Sequence, residues 1–291
     1  MQQSYYSKTT SILNILKATR VTSRRSHMER KVKVNNLDVN IVECGAGPKS
    51  VLLMPGVMGS IWTDFAPQIK QLPGLLPNHT IIACDPPGCG KSMPLDRKWT
   101  INAVQEDGQF AMDLMLTLER PKFSILGWSA GGNAAIVAAS RYQNNIEKLV
   151  IWGTGAYVTP EEVKLFEGMR DVGKWPVPMR EPMETVYGAE RFHRMWNGFI
   201  DAVQLLYSER NGDMCKSEVD MVKAPTFILH GKKDFMKDPV HVPYLREHIK
   251  NTSVFFVFFF LLPDITNFRR ANIIYIYATQ TNSIDWLPTF F

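Results

Sequence analysis

A serine flanked by glycines carries the clearest chemical signal in the sequence. The segment Gly127-Trp128-Ser129-Ala130-Gly131 follows the apolar run Phe123–Leu126 and precedes an alanine-rich stretch that begins at Asn133. Between a buried strand and a helix, such a segment forms a tight turn that lifts the serine hydroxyl above the sheet. Backbone N–H groups and the helix dipole favour negative charge there. The pattern predicts that Ser129 is a nucleophile, and the alternative is a purely structural turn.

A serine that attacks a carbonyl needs two N–H donors for the oxygen that becomes negative. The residue after the nucleophile, Ala130, supplies the first donor. The second comes from a loop after an earlier strand, and Pro55-Gly56-Val57-Met58-Gly59-Ser60 follows the apolar run Val51–Met54. Val57 is the predicted second donor and Met58 the next candidate. A glycine-rich turn without a catalytic role is the alternative.

A carboxylate must orient the base of such a site, and it follows the serine in chain order. The loop His230-Gly231-Lys232-Lys233-Asp234 comes directly after the apolar run Thr226–Leu229. Asp234 is therefore the predicted acid, with Asp238 as the second candidate. An aspartate in such a loop can also serve only to cap a turn.

The elements around these residues follow an alternating order. Short continuous apolar runs are typical of strands buried on both faces of a parallel sheet, and they recur at Val51–Met54, Ile81–Cys84, Phe123–Leu126, Leu149–Trp152 and Thr226–Leu229. Helical patterns lie between them. Lys31–Asn35 and Asp38–Cys44 alternate apolar and polar residues and predict a hairpin. The sequence predicts an α/β fold with a mostly parallel sheet and an N-terminal antiparallel hairpin.

One long interval breaks the alternation. Residues 154–221 carry helix signals, among them a start at Thr159-Pro160. We expect a helical lid there, inserted in a core formed by residues 29–153 and 222–253. Its methionine and aromatic residues either line a substrate pocket or pack the lid against the core; they are Met169, Trp175, Met179, Met183, Tyr187 and Trp196.

Charge and cysteine usage exclude several classes of protein. The net charge of +5 comes from residues 1–28, which hold five basic residues and no acid. The rest of the chain is neutral overall, which argues against nucleic-acid binding. The basic, serine- and threonine-rich residues 1–28 predict a mitochondrial transit peptide; a disordered extension on a cytoplasmic protein is the alternative. The four cysteines show no metal-ligand spacing, and no apolar run approaches the length of a membrane span.

Several stretches together resemble the α/β-hydrolase superfamily, and most closely its biphenyl hydrolase-like, or valacyclovir hydrolase, family. The resemblance covers residues 31–253, and these stretches carry it: Leu52-Leu53-Met54-Pro55-Gly56, Asp85-Pro86-Pro87-Gly88-Cys89-Gly90-Lys91-Ser92, Leu126-Gly127-Trp128-Ser129-Ala130-Gly131-Gly132, Val150-Ile151-Trp152-Gly153 and Leu229-His230-Gly231-Lys232-Lys233-Asp234. It implies a mitochondrial Ser–Asp–His hydrolase of small-molecule esters, including amino-acid esters, with a helical cap and no cofactor. It matches Ser129 to the nucleophile and Asp234 to the acid.

The sequence departs from that family at three places. The family carries an acid directly after the nucleophile, associated with the substrate's α-amino group, where this chain has Ala130. Pro87 stands where the family usually has arginine. The family's histidine base follows the last strand, near Leu261–Pro263 here, and the chain has no histidine after His248.

No base is therefore identified among the histidines. His27 and His79 are expected in exposed contexts, and His193 in the lid. His230 is expected to pack at a strand end, and His241 and His248 lie in or near a helix that should run away from the strand tips. His193, His230, His241 and His248 are the substitutes considered.

Residues 254–291 form an atypical tail. They hold eight of the sixteen phenylalanines and no Gly, Lys, Glu or His. Apart from a strand that can open at Val254, no helical period is visible. We interpret this tail as a replacement of the natural C-terminus, by a retained intron or a faulty gene model. The sequence thus predicts a serine ester hydrolase impaired by its missing base, with a non-catalytic binding protein as the alternative.

Overall fold

The computed structural model describes residues 27–92, 96–231 and 234–257. Within them the strands form one eight-stranded sheet in the order β1-β2-β4-β3-β5-β6-β7-β8. In chain order they are β1 (Met28–Val34), β2 (Leu37–Gly45), β3 (Lys49–Met54), β4 (His79–Cys84), β5 (Phe123–Trp128), β6 (Ile146–Trp152), β7 (Thr226–Gly231) and β8 (Thr252–Val257). The pairs β1–β2 and β2–β4 are antiparallel and the others are parallel. This is the predicted mostly parallel sheet.

The N-terminal hairpin confirms its sequence pattern. Asn35 and Asn36 form its two-residue turn with φ of +47° and +68°, and Val34 pairs with Leu37. Two successive positive φ values give the turn whose twist matches that of the flanking strands, and asparagine tolerates them better than most residues.

Helices cover both faces of the sheet. The helices are α1 (Ile61–Asp64), α2 (Ala66–Leu75), α3 (Ala103–Thr117), α4 (Ala130–Arg141), α5 (Pro160–Gly168), α6 (Val177–Tyr187), α7 (Ala189–Arg210) and α8 (His241–His248), with 3-10 turns at Val172–Lys174 and Lys216–Met221. Residues of α3, α4 and α8 pack in the apolar cluster on one face, and residues of α1 and α2 pack on the other. The strands between them are buried on both sides, which explains their continuous apolar runs.

The segment between β6 and β7 holds α5, α6, α7 and the two 3-10 turns, and we call it the cap. Its first helix begins at the predicted place: Thr159 is the N-cap, Pro160 is the first helical residue, and Glu162 completes a capping box. The cap has an apolar cluster of its own, which includes Phe192, Trp196 and, from the loop after β3, Met58.

Two sequence expectations need correction. His79 is not exposed; it is the first residue of β4 and only 6% accessible, and the end of β2 packs against it: a Cβ atom on Gly45 would lie 2.5 Å from the carbonyl oxygen of His79. The strand expected to open at Val254 begins at Thr252 and pairs in parallel with β7, so residues 254–257 belong to the sheet. The predicted transit peptide, except for its last two residues, and the tail beyond residue 257 lie outside the described residues.

Candidate active site

Ser129 lies at a strained turn between β5 and α4. Its φ of +51° and ψ of −118° fall outside the regions that L-residues prefer. The Ser129 N–H donates to the Trp152 carbonyl at 2.9 Å, and the Ser129 carbonyl accepts hydrogen bonds from the Gly132 N–H at 2.9 Å and the Thr154 hydroxyl at 3.1 Å. These bonds to the neighbouring strand and to the helix hold the backbone in a conformation that costs free energy.

The turn around Ser129 presses against the end of β3, which explains its glycines. A Cβ atom on Gly131 would lie 2.5 Å from the carbonyl oxygen of Pro55, and one on Gly127 would lie 2.5 Å from that of Gly131. Either contact would force the backbones apart. A Cβ atom on Gly56 would lie 3.5 Å from the Ser129 Cβ, so the loop after β3 passes directly beside the serine.

That loop brings free N–H groups next to Ser129. Within the described part of the chain, the N–H groups of Val57 and Met58 have no hydrogen-bond partner. Ala130 is the first residue of α4, where helix N–H groups lack an intrahelical acceptor. The structure thus places the loop that carries Val57 and Met58 beside Ser129 and Ala130, and their role as donors stays a prediction.

Asp64 shapes the same loop, and the sequence analysis did not single it out. Its Oδ2 accepts the Gly56 N–H at 2.9 Å, and it is buried at the end of α1. The Gly59 N–H closes the turn by donating to the Gly56 carbonyl at 2.9 Å. A carboxylate four residues after a glycine-rich loop is the signal that could have revealed it.

Asp234 and Asp238 have different surroundings. A Cβ atom on Gly153 would lie 3.5 Å from Asp234 Oδ2 and 3.3 Å from Trp128 Nε1, so this carboxylate lies at the edge of the sheet that carries Ser129. Its Oδ1 accepts the Met236 N–H at 2.9 Å. Asp238 instead accepts the Val240 N–H at 3.0 Å, just before α8. The geometry favours Asp234 over Asp238 as the acid near the serine.

His241 occupies a different place from the one expected. It is the first residue of α8, and a Cβ atom on Gly155 would lie 2.7 Å from its ring. It therefore lies close to the tip of β6, because the N-terminus of a helix that follows a parallel strand starts at that edge. The ring is fully buried, and its Nε2 lies 3.0 Å from Oε1 of Glu162. Glu162 therefore binds Nε2, while Nδ1 is buried and has no hydrogen-bond partner among the described residues.

The other three histidines considered as substitutes have different surroundings. His248 bonds the Tyr244 carbonyl at 2.8 Å and stacks on that ring, while His193 is exposed on α7. His230 is buried near the end of β7, and burial lowers the pKa of its imidazole while the charge of Asp234 acts in the opposite direction. Among the described residues no histidine hydrogen-bonds Ser129.

Most of the cap residues considered for a substrate pocket pack instead. Tyr187 and Trp196 are buried, and Met169, Trp175 and Met183 pack around them. The indole N–H groups of Trp175 and Trp196 both donate to the Met169 carbonyl, at 2.8 and 2.9 Å. The packing alternative therefore describes these five side chains.

The cysteines are free and buried, as expected from their scattered positions. Burial raises the pKa of the Cys44 thiol to about 11 and that of Cys215 to about 12, so neither is a thiolate at neutral pH. Across the described ranges no three side chains converge as metal ligands would, and no helix there has the length and apolarity to span a bilayer.

Comparison with known proteins decides the family. The family model of the alpha/beta hydrolase fold matches residues 49–184. Human serine hydrolase BPHL is 39% identical over 224 residues, which cover 77% of this chain and 76% of the human protein. The chain belongs to the α/β-hydrolase family. The mouse serine hydrolase BPHL is 37% identical to this α/β hydrolase over the same shares, and these relatives support hydrolase activity.

Solved structures agree on the fold of this α/β hydrolase. A 2-hydroxy-6-oxo-6-phenylhexa-2,4-dienoate hydrolase from Rhodococcus sp. strain RHA1 superposes with a TM-score of 0.65 at 16% identity, covering 80% of this chain and 91% of its own. An enol-lactonase from Burkholderia xenovorans LB400 gives 0.61 at 20% identity, covering 86% and 98%. At such identities the similarity concerns the fold alone.

Proposed function

We propose that this α/β hydrolase cleaves carboxylic esters of small molecules, amino-acid esters among them, through an acyl-enzyme on Ser129. The observation that carries the proposal is the strained Ser129 at the start of α4, with the free N–H groups of the loop after β3 beside it. An ester carbonyl placed over the hydroxyl would direct its oxygen to the N–H group of Ala130 and to those of Val57 and Met58.

The chemistry then has two halves. The Ser129 oxygen bonds to the carbonyl carbon, a base takes the hydroxyl proton, and the alcohol leaves with a proton. Water next attacks the acyl carbon, which releases the carboxylic acid and restores the hydroxyl. Asp234 is assigned the role of orienting the base and stabilising it when it is protonated.

The base is the part of this machinery that we propose the chain lacks. We propose that this chain turns over substrate slowly, because the sequence has no histidine after His248 and none of the described histidines hydrogen-bonds Ser129. Without a base, the serine hydroxyl is a poor nucleophile at neutral pH. Removal of one member of such a triad costs about 10⁴- to 10⁶-fold in rate.

Chemical rescue tests both statements. Hydrolysis of p-nitrophenyl acetate is measured with and without added imidazole, using Ser129→Ala as the matched control. We expect the unmodified chain to match the control without imidazole and to exceed it increasingly as imidazole rises, since free imidazole can take the proton. No excess at any imidazole concentration would overturn the hydrolase proposal. A large excess without imidazole would overturn the proposed impairment.

A non-catalytic binding protein is the second candidate, and it is favoured because no histidine among the described residues hydrogen-bonds Ser129. A fluorophosphonate probe separates the two, because it needs an attacking serine but no turnover. Labelling of Ser129 in the presence of imidazole supports the enzyme. No labelling, also in a chain whose C-terminus carries the family's histidine, supports the binding protein.

We further propose that residues 1–28 direct the protein to mitochondria, which their basic, acid-free composition supports. A fusion of these residues to a fluorescent protein is expected to colocalise with a mitochondrial marker. Replacement of Arg20, Arg24 and Arg25 by glutamine should release it. Diffuse cytoplasmic fluorescence of the unmodified fusion contradicts the proposal.

A further inference from the structure

We propose that Tyr187, a residue of the cap, is a positioning residue for the oxyanion hole and makes the orientation of the Met58 N–H depend on the docked cap. This inference rests on the proposed function, because it concerns the donors that face the ester carbonyl. Tyr187 is the last residue of α6 and lies well away from Ser129 in the sequence.

The phenol of Tyr187 joins two loops of the core. Its O–H donates to the Met58 carbonyl at 2.8 Å, and its oxygen accepts the Gly90 N–H at 3.1 Å. The side chain is 6% accessible, and burial raises the pKa of the phenol, so it keeps its proton at any working pH. The group is therefore a fixed donor between the loop after β3 and the loop after β4.

The Gly90 side of this bridge is itself anchored. Asp85, at the tip of β4, accepts the Lys91 N–H at 2.8 Å and the Ile61 N–H at 2.7 Å. It therefore ties the loop after β4 to the helix that ends the loop after β3. The hydroxyl of Tyr187 therefore bonds two loops that Asp85 already connects, and this fixes its position.

Met58 is the residue on which this bond acts. Its φ of +55° is unusual for a residue with a side chain, and the side chain is buried. The angles φ and ψ of Met58 together set how its N–H is turned relative to its carbonyl oxygen. A bond that fixes the carbonyl oxygen therefore restrains this pair of angles and, through them, the direction of the N–H.

The other restraints on this loop come from the core. Asp64 holds the Gly56 N–H, and the Gly59 N–H closes the turn. Neither acts on the Met58 carbonyl, whose bond comes from the cap. Any movement that lifts α6 removes this bond and leaves the Met58 peptide free to relax toward negative φ. The peptide group between Val57 and Met58, which carries the Met58 N–H, would turn with it.

The test compares an ester with its thionoester, in which sulfur replaces the carbonyl oxygen. Sulfur accepts hydrogen bonds weakly, so the rate on the oxygen ester depends much more on N–H donors in the oxyanion hole. Rates on p-nitrophenyl acetate and its thiono analogue are measured with imidazole for the full chain, Tyr187→Phe and the cap control Tyr207→Phe, after subtraction of the Ser129→Ala rate. The quantity compared is the ratio of the rate on the oxygen ester to the rate on the thionoester. Because both rates come from one sample, a loss of folded protein cancels in this ratio.

We expect Tyr187→Phe to lower kcat on the oxygen ester about tenfold and on the thionoester less than about twofold, with little change in KM. Tyr207→Phe should leave the ratio unchanged. An unchanged ratio in Tyr187→Phe, whether or not both rates fall, overturns the inference and leaves the proposed function intact. If the full chain never exceeds Ser129→Ala, the proposed function fails, and this inference fails with it.

Discussion

The imidazole Nε2 of His241 lies 3.0 Å from Oε1 of Glu162, and this contact joins the first turn of α8 in the core to the first turn of α5 in the cap. Lys237 Nζ lies 3.4 Å from the same oxygen. All three residues are buried. Burying a charge without a partner costs free energy, so the carboxylate of Glu162 and the ammonium of Lys237 stabilise each other in the interior. The cap is thus attached to the core by a buried ionic cluster.

Replacement of Glu162 should weaken the whole domain. We expect Glu162→Gln to lower the free energy of unfolding by about 3–5 kcal/mol at neutral pH, since it leaves the Lys237 ammonium buried without its counter-charge. Urea unfolding measures the change. The neighbouring Glu161 is exposed in the same helical turn, and Glu161→Gln should stay within about 0.5 kcal/mol of the unmodified chain. Equal losses in both variants would contradict the role of the cluster.

The carboxylate of Glu162 should also make the free energy of unfolding depend on pH in the acidic range. Burial alone would raise the pKa of Glu162, but the hydrogen bond from His241 and the charge of Lys237 outweigh it and lower the pKa from 4.5 to about 2. The unfolded chain therefore binds this proton at a higher pH than the folded chain. The stabilisation is present above pH 4.5 and is lost as the pH falls toward 2. The free energies of unfolding of the unmodified chain and of Glu162→Gln should converge as the pH falls from 4.5 toward 2. A constant difference over this range would refute the assignment.

Substitution of Asp234 and, as its control, of Asp238 tests which carboxylate orients the base. In the imidazole-rescued assay we expect Asp234→Asn to lower the Ser129-dependent rate about tenfold or more, because the protonated imidazole loses its counter-charge. Asp238→Asn should change that rate less than about twofold, since this carboxylate caps the turn before α8. The opposite ranking would assign the acid to Asp238.

Because Ala130 carries no charge, we expect the site to show no preference for α-amino esters. With no acid after the nucleophile, we expect p-nitrophenyl esters with and without an α-ammonium group to differ less than about threefold in rescued kcat/KM. Ala130→Asp should favour the α-ammonium ester by about tenfold through charge attraction, while Ala130→Asn, of similar size and neutral, should not. A strong preference in the unmodified chain would mean that another acid serves the amino group.

Local patterns predicted the parts that depend on local physics. Strands buried on both faces must be apolar throughout, so Val51–Met54 and Phe123–Leu126 were readable as strands. The turn around Ser129 tolerates only small neighbours, so Gly127 and Gly131 marked it. The cap helix start at Thr159 followed from its capping residues.

Neighbouring residues are enough to predict the apolar strands, the serine turn and its candidate donors, and the full sequence shows that no histidine follows His248. Tertiary packing is needed to show that Tyr187 bonds Met58, 129 positions away, that His241 contacts Glu162 and that His79 is buried. Such contacts depend on how the cap settles on the sheet, and no short window of sequence records that packing.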